Sequence, residues 1–403
     1  MNVLFVVKEF PHSLVIGGPI IIYNRVKYLS EKHTVSLITF ADNPTEGQKQ
    51  SVSRFCEELT LVPYPQPRTG LRQRLADFFR APVPPYFMNN YSKEMYEALH
   101  GVVSRSRYDV VISEYSMVAQ YLYRNPDLDG IKRIMSVHEC YYLARHKVLR
   151  MEGLRSREGR LALYNLKGLK RFEFDMYADA DRVLTLTPEG RNELLAIRPG
   201  LDISVVPHGV DVDHFKPAER RDGPPTVMFL GNYPHDPNRD AVMFFGTTAW
   251  PLVKQRVPDS RFLVVGRGPT DDMRELAHGD RSIEITGQVD DVRPYFARSS
   301  VFACPVRLGG GFRGKVLEAM ASGVPVVSTT LGAEGLPARD GENILLADEP
   351  EEFAEKTVRL LTDRELAARI AAEARELVVR DYSWRRGVEI LEGVLEEVLR
   401  ARR

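Results

Sequence analysis

A chain of 403 residues has room for two or three domains, and 43% hydrophobic with 27% charged residues lets each bury an ordinary core. Formal net charge is zero, so overall composition offers no pointer to a nucleic-acid partner. Residues 1–206 nevertheless carry an excess of five cations and the remainder an equal excess of acids, an asymmetry that on its own suggests the first half as the one meeting an anionic surface or substrate. Cys56, Cys140 and Cys304 are scattered and lack C-x-x-C spacing, which argues against a disulfide framework or structural zinc and fits a reducing cytoplasm.

The first element is "NVLFVV" at residues 2–7, ended by Lys8 and Glu9. It is too short for a signal peptide, and no stretch approaches the roughly 18 apolar residues of a membrane helix. The chain is therefore expected neither to cross a membrane nor to be exported by a recognisable signal. Further β-rich runs follow at residues 34–40, 109–113, 131–137 and 181–187. A second series occupies 226–231, 260–266, 282–286, 300–305 and 323–329. Strands that are nearly all apolar belong to parallel sheets covered by helices, and their alternation with helical patterns predicts doubly wound α/β units. Between the series, residues 205–226 are rich in Pro, Gly and charge and read as a linker. The predicted organisation is a first Rossmann-like domain over 1–206, a linker over 207–222, a second Rossmann-like domain over 223–381 and a terminal segment over 382–403. In that last segment Val388, Leu391, Leu395 and Leu399 share one helix face.

Doubly wound domains bind ligands at the carboxyl ends of their strands, so a cleft between the two domains is the expected site. One stretch there needs a chemical explanation: "PVRLGGGFRGKVLEAMASGVPVVST" at 305–329. Three glycines let backbone N–H groups approach a ligand, and a helix start favours an anion. Arg313 and Lys315 add two full charges, a combination suited to a diphosphate. Lys315 and Glu318 lie three residues apart on one helix face. A carboxylate there suits the paired hydroxyls of a ribose. The competing reading is a surface loop with a local Lys–Glu pair.

This stretch, with "GAEGL" at 332–336, resembles the donor-site signature of glycosyltransferase family 4, in the subgroup with a GGGxRxK loop. "SVVPHGVDVDHF" is similar to that family's interdomain motif, "FLGNYPHDPNRDAV" to its first strand and loop of the second domain, and "GQVDDVRPYFARSSVFACP" to its base-binding turn. In the first half, "GGPIIIYNRVKYLSE" resembles the family's glycine-rich loop and "SVHECYYLARHK" its His-containing strand end. The resemblance implies a GT-B fold with the terminal helix crossing back. It also implies retaining, metal-independent transfer of a sugar from a UDP- or GDP-linked donor to a hydroxyl acceptor, in cell-surface polysaccharide or glycolipid synthesis. No cofactor or metal is implied beyond the nucleotide-sugar co-substrate. His138, Arg313 and Lys315 are the implied catalytic residues. Gly17, Gly18, Arg267, Val289, Gly310, Gly311, Phe312, Arg313, Lys315 and Glu318 are the implied nucleotide-sugar contacts.

Two departures stand out. Gly310 occupies a position where many members carry a glutamate, and Asn232 and Pro237 fall where an arginine and a lysine are usual. A nucleotide-sugar epimerase or phosphorylase, or a non-catalytic nucleotide-sugar binder, therefore remains as an alternative. Incubation of donor without acceptor discriminates the first, and calorimetric binding without turnover the second. "VVGRGP" at 264–269 lacks the third glycine of a dinucleotide fingerprint, and the Asp271–Asp272 and Asp290–Asp291 pairs read as solvated loop acids. Finally, "RTGLRQRLADFFR" at 68–80 resembles an amphipathic basic helix, and residues 145–171 hold nine Lys and Arg against two acids. Both fit a cytoplasmic protein that contacts an anionic membrane at the inner face of the plasma membrane and a lipid-linked acceptor.

Overall fold

The computed structural model describes residues 1–12, 18–66, 79, 83–218, 223–309 and 314–401. The chain divides into two units, Met1–Pro207 with Val388–Arg403, and His208–Gly387.

The first unit holds a seven-stranded parallel sheet of β1 (Asn2–Val7), β2 (Thr34–Phe40), β3 (Glu58–Val62), β4 (Val110–Glu114), β5 (Lys132–Val137), β6 (Arg182–Thr185) and β7 (Ile203–Val205). Their spatial order is β3-β2-β1-β4-β5-β6-β7. The two-residue period of a strand sends Val3, Phe5 and Val7 into one core and Leu4 and Val6 into the other, all fully buried. Each such side chain contributes about 1.5–3 kcal/mol, so β1 pins both helical layers to the sheet. The last helix, Trp384–Arg400, adds Val388, Leu391, Val394, Leu395 and Val398 to the first of these cores. Leu399, expected on the same face, is instead 36% exposed; Val394 and Val398 take the inward positions.

The second unit holds a six-stranded parallel sheet of β8 (Thr226–Leu230), β9 (Arg261–Val265), β10 (Ile283–Gly287), β11 (Val301–Cys304), β12 (Val326–Ser328) and β13 (Leu345–Leu346). The order is β10-β9-β8-β11-β12-β13. Its core centres on Phe229, Phe245, Trp250, Phe262 and Phe302.

Both sheets reverse their winding once, between β1 and β4 in the first and between β8 and β11 in the second. At such a point the loops leaving two adjacent strands run to opposite faces and open a crevice at the strands' carboxyl ends.

Candidate functional site

In the second unit the carboxyl ends of β8, β9 and β10 each terminate on a glycine. Gly266 has φ +133°, and a Cβ there would lie 1.8 Å from the Gly231 carbonyl oxygen. Gly231 N–H donates to the Val265 carbonyl at 3.0 Å and Gly266 N–H to the Gly287 carbonyl at 3.2 Å. Backbone therefore packs directly on backbone at the crevice floor, which only glycine permits.

Asn238, on the helix Asp236–Phe244, ties this floor to the loop after β11. Its Nδ2 donates to the Asn232 carbonyl at 2.9 Å, and its Oδ1 accepts from Lys315 Nζ. The Lys315 ammonium also lies 4.6 Å from the centre of the buried Phe229 ring, a cation–π arrangement. Lys315 and Glu318 share the helix Gly314–Ala321, which begins where His208 Cε1 sits 3.4 Å from any Cβ on Gly314. The Glu318 carboxyl forms no hydrogen bond among the described residues. Burial pushes its carboxyl up to about 7, against the opposing pull of Lys315. The helix thus carries a cation at its start and, one turn on, a carboxyl poised to ionise near neutrality.

Arg267 is exposed at the end of β9, where its Nε donates to Asn232 Oδ1 at 2.9 Å. Val289 lines a cleft of about 510 Å³ after β10, with Thr286, Gln288 and Tyr295. Gly17, Gly310, Gly311, Phe312 and Arg313 lie outside the described residues, as does "RTGLRQRLADFFR" apart from Phe79. Asp272 pairs with Arg239 at 2.7 Å, and Asp291 with Arg293 at 2.8 Å. No group of three or more His, Cys, Asp or Glu among the described residues is arranged to hold a metal.

In the first unit a buried charge cluster occupies the switch point. Glu114 ends β4 with its side chain fully buried. Its Oε1 accepts from Arg25 Nη1 at 2.7 Å and its Oε2 meets His138 Nε2 at 2.8 Å. Burial alone would raise this carboxyl, but the Arg25 guanidinium and the His138 bond outweigh it and hold it at about 2. Arg25, on the helix Gly18–Leu29, donates also to Ser136 Oγ at 2.9 Å. His138 follows β5 and is 6% exposed at its side chain, with Nδ1 buried and unpartnered. The Tyr115 ring packs on it at 4.3 Å between centroids.

Tyr115 has φ +77°, a conformation that costs a non-glycine residue about 1–3 kcal/mol. A Cβ on Gly18 would lie 1.8 Å from the Tyr115 hydroxyl, so glycine at 18 is needed for that phenol to stand there. The loop after His138 is fixed from below. Fully buried Glu173 accepts from Tyr141 N–H at 2.9 Å, Tyr142 N–H at 2.8 Å and Tyr177 hydroxyl at 2.7 Å.

Sequence reasoning named His138, Gly18, Lys315 and Glu318 but missed Arg25, Glu114, Tyr115 and Asn238. A signal for Glu114 existed: a carboxylate placed directly after the apolar run "VVIS" must be paired if it is buried.

The first unit also presents an uncommon surface. Five of the eight large apolar side chains exposed among the described residues are Phe79, Met151, Leu154, Leu161 and Leu163, from 49% to 73% exposed. The last four belong to the same stretch as the nine cations of residues 145–171, and Lys167 Nζ lies 4.9 Å from the Phe79 ring centre. No helix among the described residues is long and apolar enough to cross a membrane.

Comparison with known proteins matches residues 16–214 to the family described as Glycosyltransferase Family 4 and residues 224–363 to Glycosyl transferases group 1. The phosphatidyl-myo-inositol mannosyltransferase of Mycolicibacterium smegmatis is 38% identical over 195 residues, 46% of this chain and 49% of that protein. The GDP-mannose-dependent alpha-(1-6)-phosphatidylinositol monomannoside mannosyltransferase of Mycobacterium tuberculosis is 30% identical over 213 residues, 47% of this chain and 54% of that protein. The chain thus spans about half the length of these curated relatives. Among solved structures, Anabaena Alr3699/HepE in complex with UDP has a TM-score of 0.70 at 14% identity, covering 98% of this chain and 100% of that one. At that identity the likeness speaks for the fold, which is GT-B.

Proposed function

We propose that this chain, built from a Glycosyltransferase Family 4 domain and a glycosyl transferases group 1 domain, is a retaining, metal-independent glycosyltransferase. It moves a sugar from a UDP- or GDP-linked donor to a hydroxyl acceptor in glycolipid or cell-surface polysaccharide synthesis. The observation that carries the reading is the pairing of Lys315 and Glu318 at the start of the helix after β11. The cation and the helix amides are suited to the negative charge gathering on a departing diphosphate. The carboxyl, when ionised, is suited to accept hydrogen bonds from ribose hydroxyls.

The base would lie at the strand ends that close on Gly231, Gly266 and Gly287, near Arg267 and Val289. Gly310, Gly311, Phe312 and Arg313 would complete the diphosphate cradle, Arg313 adding a second cation, and Gly17 and Gly18 would offer amides on the first unit. His138 would hydrogen-bond the sugar and hold it for transfer. The names of the relatives support a lipid-linked acceptor, and the basic, apolar surface at residues 145–171 supports contact of the first unit with an anionic membrane.

The reading is tested by a thermal-shift screen of UDP- and GDP-sugars, followed by transfer assays on phosphatidylinositol and other lipid-linked hydroxyl acceptors with and without EDTA. A ligand that binds only the folded form raises the melting temperature. At least one donor should stabilise the chain, and transfer should persist in EDTA with the anomeric configuration retained. If no donor of either series stabilises the chain, the reading is wrong.

A further inference from the structure

We propose that Glu114, clamped by Arg25, is the positioning residue of His138. It fixes the imidazole with Nε2–H directed at the carboxylate and leaves the Nδ1 electron pair to accept a hydrogen bond from a substrate hydroxyl. The inference rests on the transferase reading for the identity of that hydroxyl, but its geometry lies wholly within the first unit.

An ionised carboxylate only accepts hydrogen bonds, and Glu114 engages one donor at each oxygen. Oε1 takes Arg25 Nη1 at 2.7 Å and Oε2 faces His138 Nε2 at 2.8 Å. Nε2 must therefore carry the proton, and a neutral imidazole then has none on Nδ1. That nitrogen is buried and finds no protein partner, although buried polar atoms nearly always find one. An incoming hydroxyl would complete it. The carboxylate cannot turn away, because Arg25 is itself anchored to Ser136 Oγ at 2.9 Å and the Val206 carbonyl at 3.4 Å. The imidazole cannot tilt freely, because Tyr115 covers its ring at 4.3 Å. Proton placement on His138 is thus decided by a group that no solvent reaches.

The test is the tautomer of His138, read by nitrogen NMR on the full chain labelled at histidine. The expected wild-type state is Nε2–H with Nδ1 bare. In Glu114→Gln the amide oxygen stays with Arg25 and the NH2 turns to Nε2, so the proton should move to Nδ1. Transfer should then fall about a hundredfold in kcat, with the KM for donor little changed. Glu114→Asp keeps the charge but withdraws the oxygen; it should give a mixture of tautomers and serves where the Gln variant does not fold. Nδ1–H in the wild type, an unchanged tautomer in folded Glu114→Gln, or pure Nε2–H in Glu114→Asp would each overturn the inference. A chain that switches tautomer as expected yet transfers no sugar upholds the positioning and sinks the transferase reading, so the two failures differ.

Discussion

The Lys315 ammonium donates to Asn238 Oδ1, while Asn238 Nδ2 donates to the Asn232 carbonyl at 2.9 Å. One neutral side chain therefore orients the cation proposed to receive the diphosphate and locks it to the glycine floor. A hydrogen bond to a charged group is worth about 1.5–3 kcal/mol. Asn238→Ala should therefore weaken nucleotide-sugar binding about tenfold or more by calorimetry, and Lys315→Ala at least as much. Asn238→Asp should also weaken it, by neutralising the cation rather than freeing it, and added salt should narrow that difference. Wild-type affinity in both Asn238 variants would show that Lys315 needs no such support.

Glu318 predicts a pH effect of definite sign. Its carboxyl sits at about 7 when folded against an ordinary value of 4.5, so the folded chain holds a proton that the unfolded chain has lost. The stability this contributes is complete below about 4.5 and disappears as pH rises through 7. The difference between wild type and Glu318→Gln should shift by about 2 kcal/mol between pH 5 and pH 8. Trp250 and Trp384, the only two tryptophans, both belong to the second unit, so their fluorescence follows this unfolding. Binding runs the other way. If the ionised carboxylate grips a ribose, nucleotide-sugar affinity should climb from pH 6 to pH 8 in wild type and stay flat in Glu318→Gln.

Much of this arrangement was readable in the sequence, and the unread part has a common cause. The ten strands expected from apolar runs are present with edges moved by a few residues, because a buried parallel strand advertises itself through continuous hydrophobicity. β3, β7 and β13 were missed. β3 and β13 have half-buried positions, and β7 and β13 are only three and two residues long, so a lone run shows neither full burial nor alternation. Lys315 and Glu318 were legible because glycine, cation and carboxylate fall within ten residues. Arg25, Glu114 and His138 were not legible as a unit, because only the order of β1, β4 and β5 in the sheet brings them together.

Glu114 predicts an acid transition of opposite sign to that of Glu318. Its folded-state value is about 2 against 4.5, so its contribution is present above about 4.5 and is lost as pH falls toward 2. The first unit should lose on the order of 2–3 kcal/mol over that window, with amide exchange in β1 and β4 rising in parallel. Glu114→Gln should flatten the dependence. A first unit equally stable at pH 5 and pH 3 would mean that the Arg25–Glu114 pair does not hold the fold.

Gly266 offers a backbone test of the crevice floor. Alanine there would need φ +133° and would drive its methyl to 1.8 Å from the Gly231 carbonyl. Strain alone costs about 1–3 kcal/mol, and the clash must part the ends of β8 and β9. Gly266→Ala should lower the melting temperature of the second unit by several degrees and abolish nucleotide-sugar binding. Gly279→Ala, where a Cβ meets nothing within 4 Å, is the control that should change neither. Retained binding in Gly266→Ala would show that the strand ends do not form the floor of the nucleotide site.

The exposed apolar side chains of the first unit give the membrane proposal its sharpest test. Met151 and Leu154 are 70% and 58% exposed beside Arg150, Arg155 and Arg157. Cations near an anionic bilayer surface contribute about 1 kcal/mol each, and they act over a Debye length of roughly 10 Å at 0.1 M salt. Apolar insertion does not depend on salt. Binding to vesicles containing phosphatidylserine should therefore weaken by more than tenfold when Arg150, Arg155 and Arg157 are changed to Gln. Changing Met151 and Leu154 to Ser should remove the portion that survives high salt. Neither set should alter nucleotide-sugar binding in solution, because none of these five residues is among the proposed nucleotide-sugar contacts. Equal sedimentation of all variants with neutral and anionic vesicles would leave the surface without a membrane role.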